Sequence, residues 1–469
     1  MSDELWRWDA TKIAEAIRLG RISSREAVSA SLERLAGVNG AVNAVTVVLA
    51  EEALAAADEA DRDHRSGKLL GPLHGVPVTI KENVDQAGKA TTNGVVAFKD
   101  LIAEADSPPA ANWKRAGAIV IGRTNTPAFS LRWHTDNELR GATLNPWDRT
   151  RTPGGSSGGA AASVALGITS LAHGNDYGGS IRYPAYCCGL AGIRPTLGRV
   201  PAFNATAPDE PSISIQMFSV QGPLARRVRD VRLGLAAMSG RDMRDPWWAP
   251  APQRGPEPPR PIRVALTVDP ARAGVDPSVA DAVRRAGIAL ERAGYAVEEV
   301  EPPDVEAAAQ LMWRIVMTEI RHMTEPTIRK LGDAGMNRAL DVYLAATPEV
   351  DLSGYIKDLA QRRKHLRDWL QFLERYPLVV GPVSTEPPLP VGFDTDASAD
   401  GKQLRRIQRL MITVNLLGLP AAAVPTGLAN GVPLGVQIIG SRYREDVCLD
   451  AAEAIEAQCG LDTPIDLRW

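Results

Sequence analysis

Cysteine is scarce in this chain: there are four among 469 residues, and two of the four, Cys187 and Cys188, are adjacent. Adjacent cysteines make poor disulfide partners, and the spacing of the set matches no zinc-ligand pattern. A reduced, cytoplasmic setting is therefore expected. The six histidines, His64, His74, His134, His173, His322 and His365, are scattered without HExxH or CxxC company, so neither a metal nor a cofactor is expected.

Long apolar runs are missing as well. The longest weakly polar stretch, AAASVALGITSLA (Ala160 to Ala172), falls short of the ~20 apolar residues that a membrane span needs. The opening MSDELWRWDATK has two early acids in place of the basic, apolar and small-residue order of a secretion signal. Nor is there a basic block: 53 Lys and Arg stand against 56 Asp and Glu, a net charge of -3. That balance speaks against nucleic acid and for a small neutral substrate.

What is present is a large apolar fraction, 44% of the residues, enough to bury one extensive core. We expect a single domain over residues 1–469, interrupted by a proline-rich surface connector at residues 249–262. Ser23 and Glu26 form a capping box that opens a helix. VPVTIK (Val76 to Lys81) is a short β-branched run that should be a strand ending at Lys81. SPPAANWKRAG, with serine as its cap, then AIVIGRTN, reads as helix followed by a strand buried on both faces. Residues 160–172 read as a buried helix, residues 302–376 as mostly helical, and strands return at RVALTVDP, YAVEEV, PLVVGPV, PAAAVPTG and LGVQIIG. The alternation gives an α/β fold class.

The chemistry concentrates where glycines frame serines. In PGGSSGGA (Pro153 to Ala160), the glycines allow a tight turn and the serines could simply cap the following helix. A phosphate cradle is a third option, weakened by the missing GK[ST] ending. GNDYGGSIR (Gly174 to Arg182) adds successive backbone N–H groups that could converge on one point, as an oxyanion hole requires. A serine there needs a base, and no GxSxG elbow with a histidine partner is present. Lys81 can be that base only if burial keeps it neutral; a strand-end lysine reaching for solvent is the bland alternative.

Together GVPVTIKEN (Gly75 to Asn83), GATLNPWD (Gly141 to Asp148), TPGGSSGGAAA (Thr152 to Ala162), GNDYGGSIRYPA (Gly174 to Ala185) and GLAGIRPT (Gly189 to Thr196) resemble the amidase signature family. The likeness extends to NLLGLPAAAVPTG and GVPLGVQIIG near the carboxyl end, and residues 200–375 are its least constrained part. The resemblance implies an α/β/α sandwich around a large twisted mixed sheet. It implies a Ser-Ser-Lys triad with Ser180 as nucleophile, Ser156 as the bridging serine on a cis peptide, and Lys81 as base. Ser156 and Ser180 are 24 positions apart, as the family pattern has them. Backbone N–H groups of Tyr177, Gly178, Gly179 and Ser180 would hold the oxyanion. Asp176 and Arg182 would brace the loop, and Ser157 would pack or hydrogen-bond beside it.

The activity so implied is hydrolysis of the C–N bond of small aryl, acyl or oligoamide substrates through an acyl-enzyme. A urethane (carbamate) hydrolase is the alternative main activity. A silent scaffold and an amidotransferase subunit rank lower, the latter because no RNA-facing patch is evident. Family members are often dimers, so a homodimer is compatible with the resemblance. Tyr177 stands where many relatives carry a small or branched residue. The stretches RWHTDNELRG (residues 132–141) and LMWRIVMTEIRHM (Leu311 to Met323) are candidate pocket walls.

Overall fold

The computed structural model describes residues 4–469; Met1, Ser2 and Asp3, the start of the amino-terminal stretch MSDELWRWDATK, lie outside the described residues. Eleven strands form one mixed sheet. In chain order they are β1 (Val45–Val48), β2 (Pro77–Lys81), β3 (Ile119–Thr124), β4 (Leu171–Asp176), β5 (Ala191–Arg194), β6 (Val220–Ala225), β7 (Arg263–Leu266), β8 (Ala296–Glu299), β9 (Leu378–Pro382), β10 (Ala421–Ala429) and β11 (Val432–Gly440). Across the sheet they run β1-β3-β2-β4-β6-β5-β10-β11-β9-β7-β8.

The strands at the heart of each half are parallel, β3-β2-β4 on one side and β9-β7-β8 on the other, joined by antiparallel neighbours. β2 and β3 are buried along their whole length, which is why their sequences carry apolar residues on both faces instead of alternating. Helices cover both faces of the sheet, giving the α/β architecture expected from the alternation of elements.

Local signals explain most of the boundaries. The helix Ser24–Val42 opens on the capping box, with the Ser23 hydroxyl accepting from the Glu26 amide and the Glu26 carboxylate accepting from the Ser23 amide. The helix Pro108–Arg115 begins on prolines as anticipated, but Ser107 makes no side-chain cap, and its buried hydroxyl has no partner among the described residues. Residues 249–262 contain no helix or strand.

One element departs from expectation. The buried helix anticipated over residues 160–172 spans Gly158–Ala165 and stops, and β4 begins at Leu171. Gly167 ends it by taking a left-handed φ of +74°, where a side chain would meet Trp6 and Pro464. The β-branched Ile168 and Thr169 then lead into the strand. This shortening decides the site, because it makes Asn175 and Asp176 a strand end instead of a loop.

Candidate active site

Parallel strands β2 and β4 lie side by side, so their carboxyl ends, Lys81 on one and Asn175 and Asp176 on the other, come together. In open α/β sheets such strand ends form the crevice where ligands bind. Two short helices start above them. Ser156 immediately precedes the turn into the helix Gly158–Ala165, and Ser180 that into Arg182–Cys188. The two glycine-framed serine motifs are thus two helix starts converging on one pair of strand ends.

Lys81 is fully buried, and its Nζ lies 2.7 Å from Ser156 Oγ and 2.6 Å from Asn175 Oδ1. Burial drives its pKa well below the ordinary lysine value, against the opposing pull of the Asp176 charge. The identity of Asn175 matters here. A neutral amide holds the amine in place, whereas a carboxylate would favour the ammonium form. A neutral lysine has two N–H groups and one lone pair, so it can donate to Asn175 and accept from the Ser156 hydroxyl.

The peptide between Gly155 and Ser156 is cis. Ser156 and Ser180 line the same cleft, but no hydrogen bond joins their hydroxyls. Ser180 is 7% exposed. Ser157 is fully buried, with its hydroxyl directed at the Asn175 carbonyl 3.5 Å away, and does not cap the helix it precedes.

Asp176 and Arg182 form a pair in which both side chains are fully buried. Arg182 Nε donates to Oδ2 at 3.0 Å and Nη2 to Oδ1 at 3.1 Å. The remaining guanidinium N–H groups reach the Met411 carbonyl, Gln437 and Asn415, which accounts for all five donors. Burial alone would raise the Asp176 pKa; the charges of Arg182 and Arg194 instead hold it below the usual carboxylate range.

The amide of Gly179 donates to Asp176 Oδ1 at 2.8 Å. A buried carboxylate beneath the turn thus engages one of the four amides expected around Ser180. Among the described residues the amides of Tyr177, Gly178 and Ser180 make no hydrogen bond within the chain. Trp133 steadies the same loop, its Nε1–H donating to the Gly178 carbonyl at 2.8 Å.

Two cavities meet at Ser180. One, of about 70 Å³, is apolar and walled by Trp133, Trp313, Met317, Met336, Tyr343 and Ile412. Its aromatic rings form a cluster, with centroids 5.8 Å apart for Trp133 and Trp313 and 5.5 Å for Trp313 and Tyr343. The other, a cleft of about 650 Å³, is more polar and contains Ser156, Asn175, Asn204 and Gln221. Both stretches anticipated as pocket walls contribute: residues 132 and 133 from one, and Met312, Trp313, Val316, Met317 and Ile320 from the other.

His173 is the histidine nearest this chemistry. Its Nδ1 faces the Lys81 amide at 3.4 Å, its Nε2 lies 2.9 Å from Gln221, and burial lowers its pKa to about 3. It therefore stays neutral and holds a strand. Asn175 lies inside the second serine motif, but nothing in that motif marks it as the partner of a lysine. Asn415, Gln437 and Arg194 stand far off in sequence, without a local signal that would connect them to the loop. Among the described residues no cluster of His, Cys, Asp and Glu is arranged to hold a metal ion, and no helix is long and apolar enough to cross a membrane.

Residues 26–449 match the family model described as Amidase. The chain belongs to the amidase family. This amidase is 50% identical over 464 residues to the indoleacetamide hydrolase of Bradyrhizobium diazoefficiens, covering 97% of this chain and 87% of that one. It is 32% identical to a glutamyl-tRNA(Gln) amidotransferase subunit of Moorella thermoacetica, covering 97% of each. Among solved structures it resembles 6-aminohexanoate cyclic dimer hydrolase complexed with substrate, with a TM-score of 0.83, 28% identity and 97% of both chains covered. The chain is accordingly an amide hydrolase of this family, with its mixed eleven-stranded sheet.

Proposed function

We propose that this amidase hydrolyses the primary amide of small arylacetamides, indoleacetamide foremost, through an acyl-enzyme on Ser180. The observation that carries the reading is the buried Lys81 amine 2.7 Å from Ser156 Oγ, at the cleft that Ser180 lines. The substrate assignment is supported by the 50% identity to an indoleacetamide hydrolase, against 32% to the amidotransferase subunit. The aromatic-walled chamber beside Ser180 suits a flat ring.

Substrate enters with its ring in the apolar chamber and its amide carbonyl over Ser180. Neutral Lys81 accepts a proton from Ser156, which accepts one from Ser180, as the Ser180 oxygen bonds to the carbonyl carbon. The oxyanion so formed is held by the amides of Tyr177, Gly178 and Ser180, with Gly179 serving Asp176 instead. As the C–N bond breaks, the relay returns a proton to the departing nitrogen and ammonia leaves toward the wide cleft. Water then adds to the ester carbonyl, passing a proton to Ser156 as Ser156 passes its own to Lys81, and as the ester collapses the relay returns a proton through Ser156 to the departing Ser180 oxygen. Arylacetate is released and Ser180 regains its hydrogen.

Asp176 and Arg182 brace the loop, and Ser157 packs beside it. Tyr343 Oη is buried in the chamber wall with no hydrogen-bond partner among the described residues, and can accept from a ring N–H of the substrate. The test is hydrolysis of indoleacetamide, acetanilide, a cyclic diamide and phenyl carbamate, followed by release of ammonia, aniline, free amine and phenol respectively. The reading expects the highest kcat/KM on indoleacetamide and none above background in Ser180→Ala. A higher value on phenyl carbamate would reassign the protein as a urethanase, and turnover surviving Ser180→Ala would remove the mechanism.

A further inference from the structure

Tyr177 lines both the apolar chamber and the wide cleft, as do Ser130, Leu131 and Ser180, and it lies one residue from the Gly178 amide. Its hydroxyl lies 2.6 Å from Ser214 Oγ. Ser214 in turn gives both its hydroxyl and its amide to Glu319, the amide at 3.0 Å. Tyr355 donates its hydroxyl to Glu319 Oε1 at 2.5 Å. Glu319 is 6% exposed and forms no salt bridge among the described residues. A glutamate buried among hydroxyl and amide donors with no basic partner is unusual, since glutamate is seldom fully buried unless paired.

The donors run in one direction. The Ser214 hydroxyl gives its hydrogen to Glu319, so the Ser214 oxygen accepts from Tyr177. The phenol of Tyr177, whose pKa burial raises, keeps its proton for that bond. Glu319 is also the last residue of the helix Val305–Glu319, where the chain passes into a π-helical turn, Ile320–Thr324. Met312, Trp313, Val316, Met317 and Ile320 of that segment wall the chamber. π-helical turns are frequent at functional sites. One carboxylate thereby ties the chamber wall to a residue that lines both chamber and cleft.

We propose that Glu319, acting through Ser214, is a positioning residue that locks Tyr177 as a fixed partition, and that this lock selects short, flat aromatic acyl groups over long flexible ones. The proposal rests on the arylacetamide reading. With the partition held, an acyl group seated in the chamber beside Ser180 must end there. Once it is released, the chamber of about 70 Å³ opens toward the cleft of about 650 Å³, and an extended alkyl chain gains room.

The experiment compares kcat and KM for indoleacetamide and straight-chain octanamide in the full-length protein, Tyr177→Phe, Glu319→Gln, Ser214→Ala and the Tyr177→Phe/Glu319→Gln double variant. Tyr177→Phe keeps the ring and removes only the bond to Ser214. The expected result is a fall on the order of tenfold in the ratio of kcat/KM for indoleacetamide over octanamide in each single variant, carried mainly by KM. The double variant should fall no further than Tyr177→Phe alone. A merely structural Glu319 would instead lower both substrates together, and its effect would persist in the Tyr177→Phe background. Either of those outcomes, or an unchanged ratio in Tyr177→Phe, overturns the proposal. If Glu319→Gln fails to fold, as judged by its urea midpoint, Tyr177→Phe and Ser214→Ala decide alone. Failure of the arylacetamide reading would appear separately, as wild-type preference for octanamide from the outset.

Discussion

Replacing Asp176 by asparagine keeps the shape of the side chain and removes its charge, and the surroundings fix what that should cost. The carboxylate accepts from Arg182 Nε at 3.0 Å, Arg182 Nη2 at 3.1 Å, the Gly179 amide at 2.8 Å and Asn415 Nδ2 at 2.7 Å. Arg194 Nη1 lies 3.7 Å from Oδ1, and both arginines are fully buried. An exposed pair would be worth at most about 1 kcal/mol. Stripping one partner from a buried pair leaves uncompensated charge and costs about 3–5 kcal/mol. Here two guanidiniums lose their anion, and an amide N–H₂ turns toward groups that are themselves donors. Asp176→Asn should therefore lose about 3–5 kcal/mol of unfolding free energy at pH 7, read from the urea midpoint by tryptophan fluorescence. It should also lose about 100-fold or more in kcat, because the Gly179 anchor goes and the neighbouring amides lose their aim. The pH dependence has a definite sign. The carboxyl is held below its ordinary value, so its stabilisation is present above about 3.9, the unfolded value, and is lost as pH falls from there toward the folded value. The gap between wild type and Asp176→Asn should narrow in that acid window. Equal urea midpoints at pH 7 would refute the reasoning.

Lys81→Met should abolish turnover yet raise the urea midpoint at pH 7. Burial lowers the folded lysine's pKa, so between that value and about 10.4 the unfolded chain binds the extra proton and wild-type stability rises with pH; the variant should lack that rise. Wild-type kcat/KM should fall as pH drops through the folded lysine value. Gly179→Ala should inactivate the enzyme, because φ is +103° there and an added Cβ would run into the Met411 side chain; activity near wild type would show that the loop tolerates displacement. Tyr343→Phe should raise KM about three- to tenfold for indoleacetamide and leave that for naphthaleneacetamide, which lacks the ring N–H, unmoved.

The parts of the molecule that follow local rules could be read from the sequence. VPVTIK is a strand because its apolar and β-branched residues run together between punctuating residues, and it ends on Lys81 as its sequence implies. The glycine-serine motifs mark helix starts because glycine permits the tight turn that brings a helix amino terminus to a strand end. The overrun of the helix at residues 160–172 has an equally local cause: the alanines favour helix and mask Gly167, whose left-handed backbone is what stops it. What stayed hidden depends on contacts between distant segments. Arg182 meets Asn415 and Gln437, and Tyr177 meets Glu319 through Ser214, only because the helix Arg409–Leu417, β11 and the helix Val305–Glu319 fold back over the loop. The engagement of the Gly179 amide is hidden for the same reason, since no local pattern reveals which donors a buried carboxylate will claim.

The central claim is that Ser180 is made nucleophilic by a neutral Lys81 acting through Ser156. Intact-protein mass after brief exposure to a fluorophosphonate, followed by peptide mapping, tests it most directly. A single adduct on Ser180, formed more slowly as pH falls, absent in Ser180→Ala and slowed at least about 100-fold in Lys81→Met, is the predicted result. An adduct on another residue, or labelling of Ser180 at an undiminished rate in Lys81→Met, would contradict it.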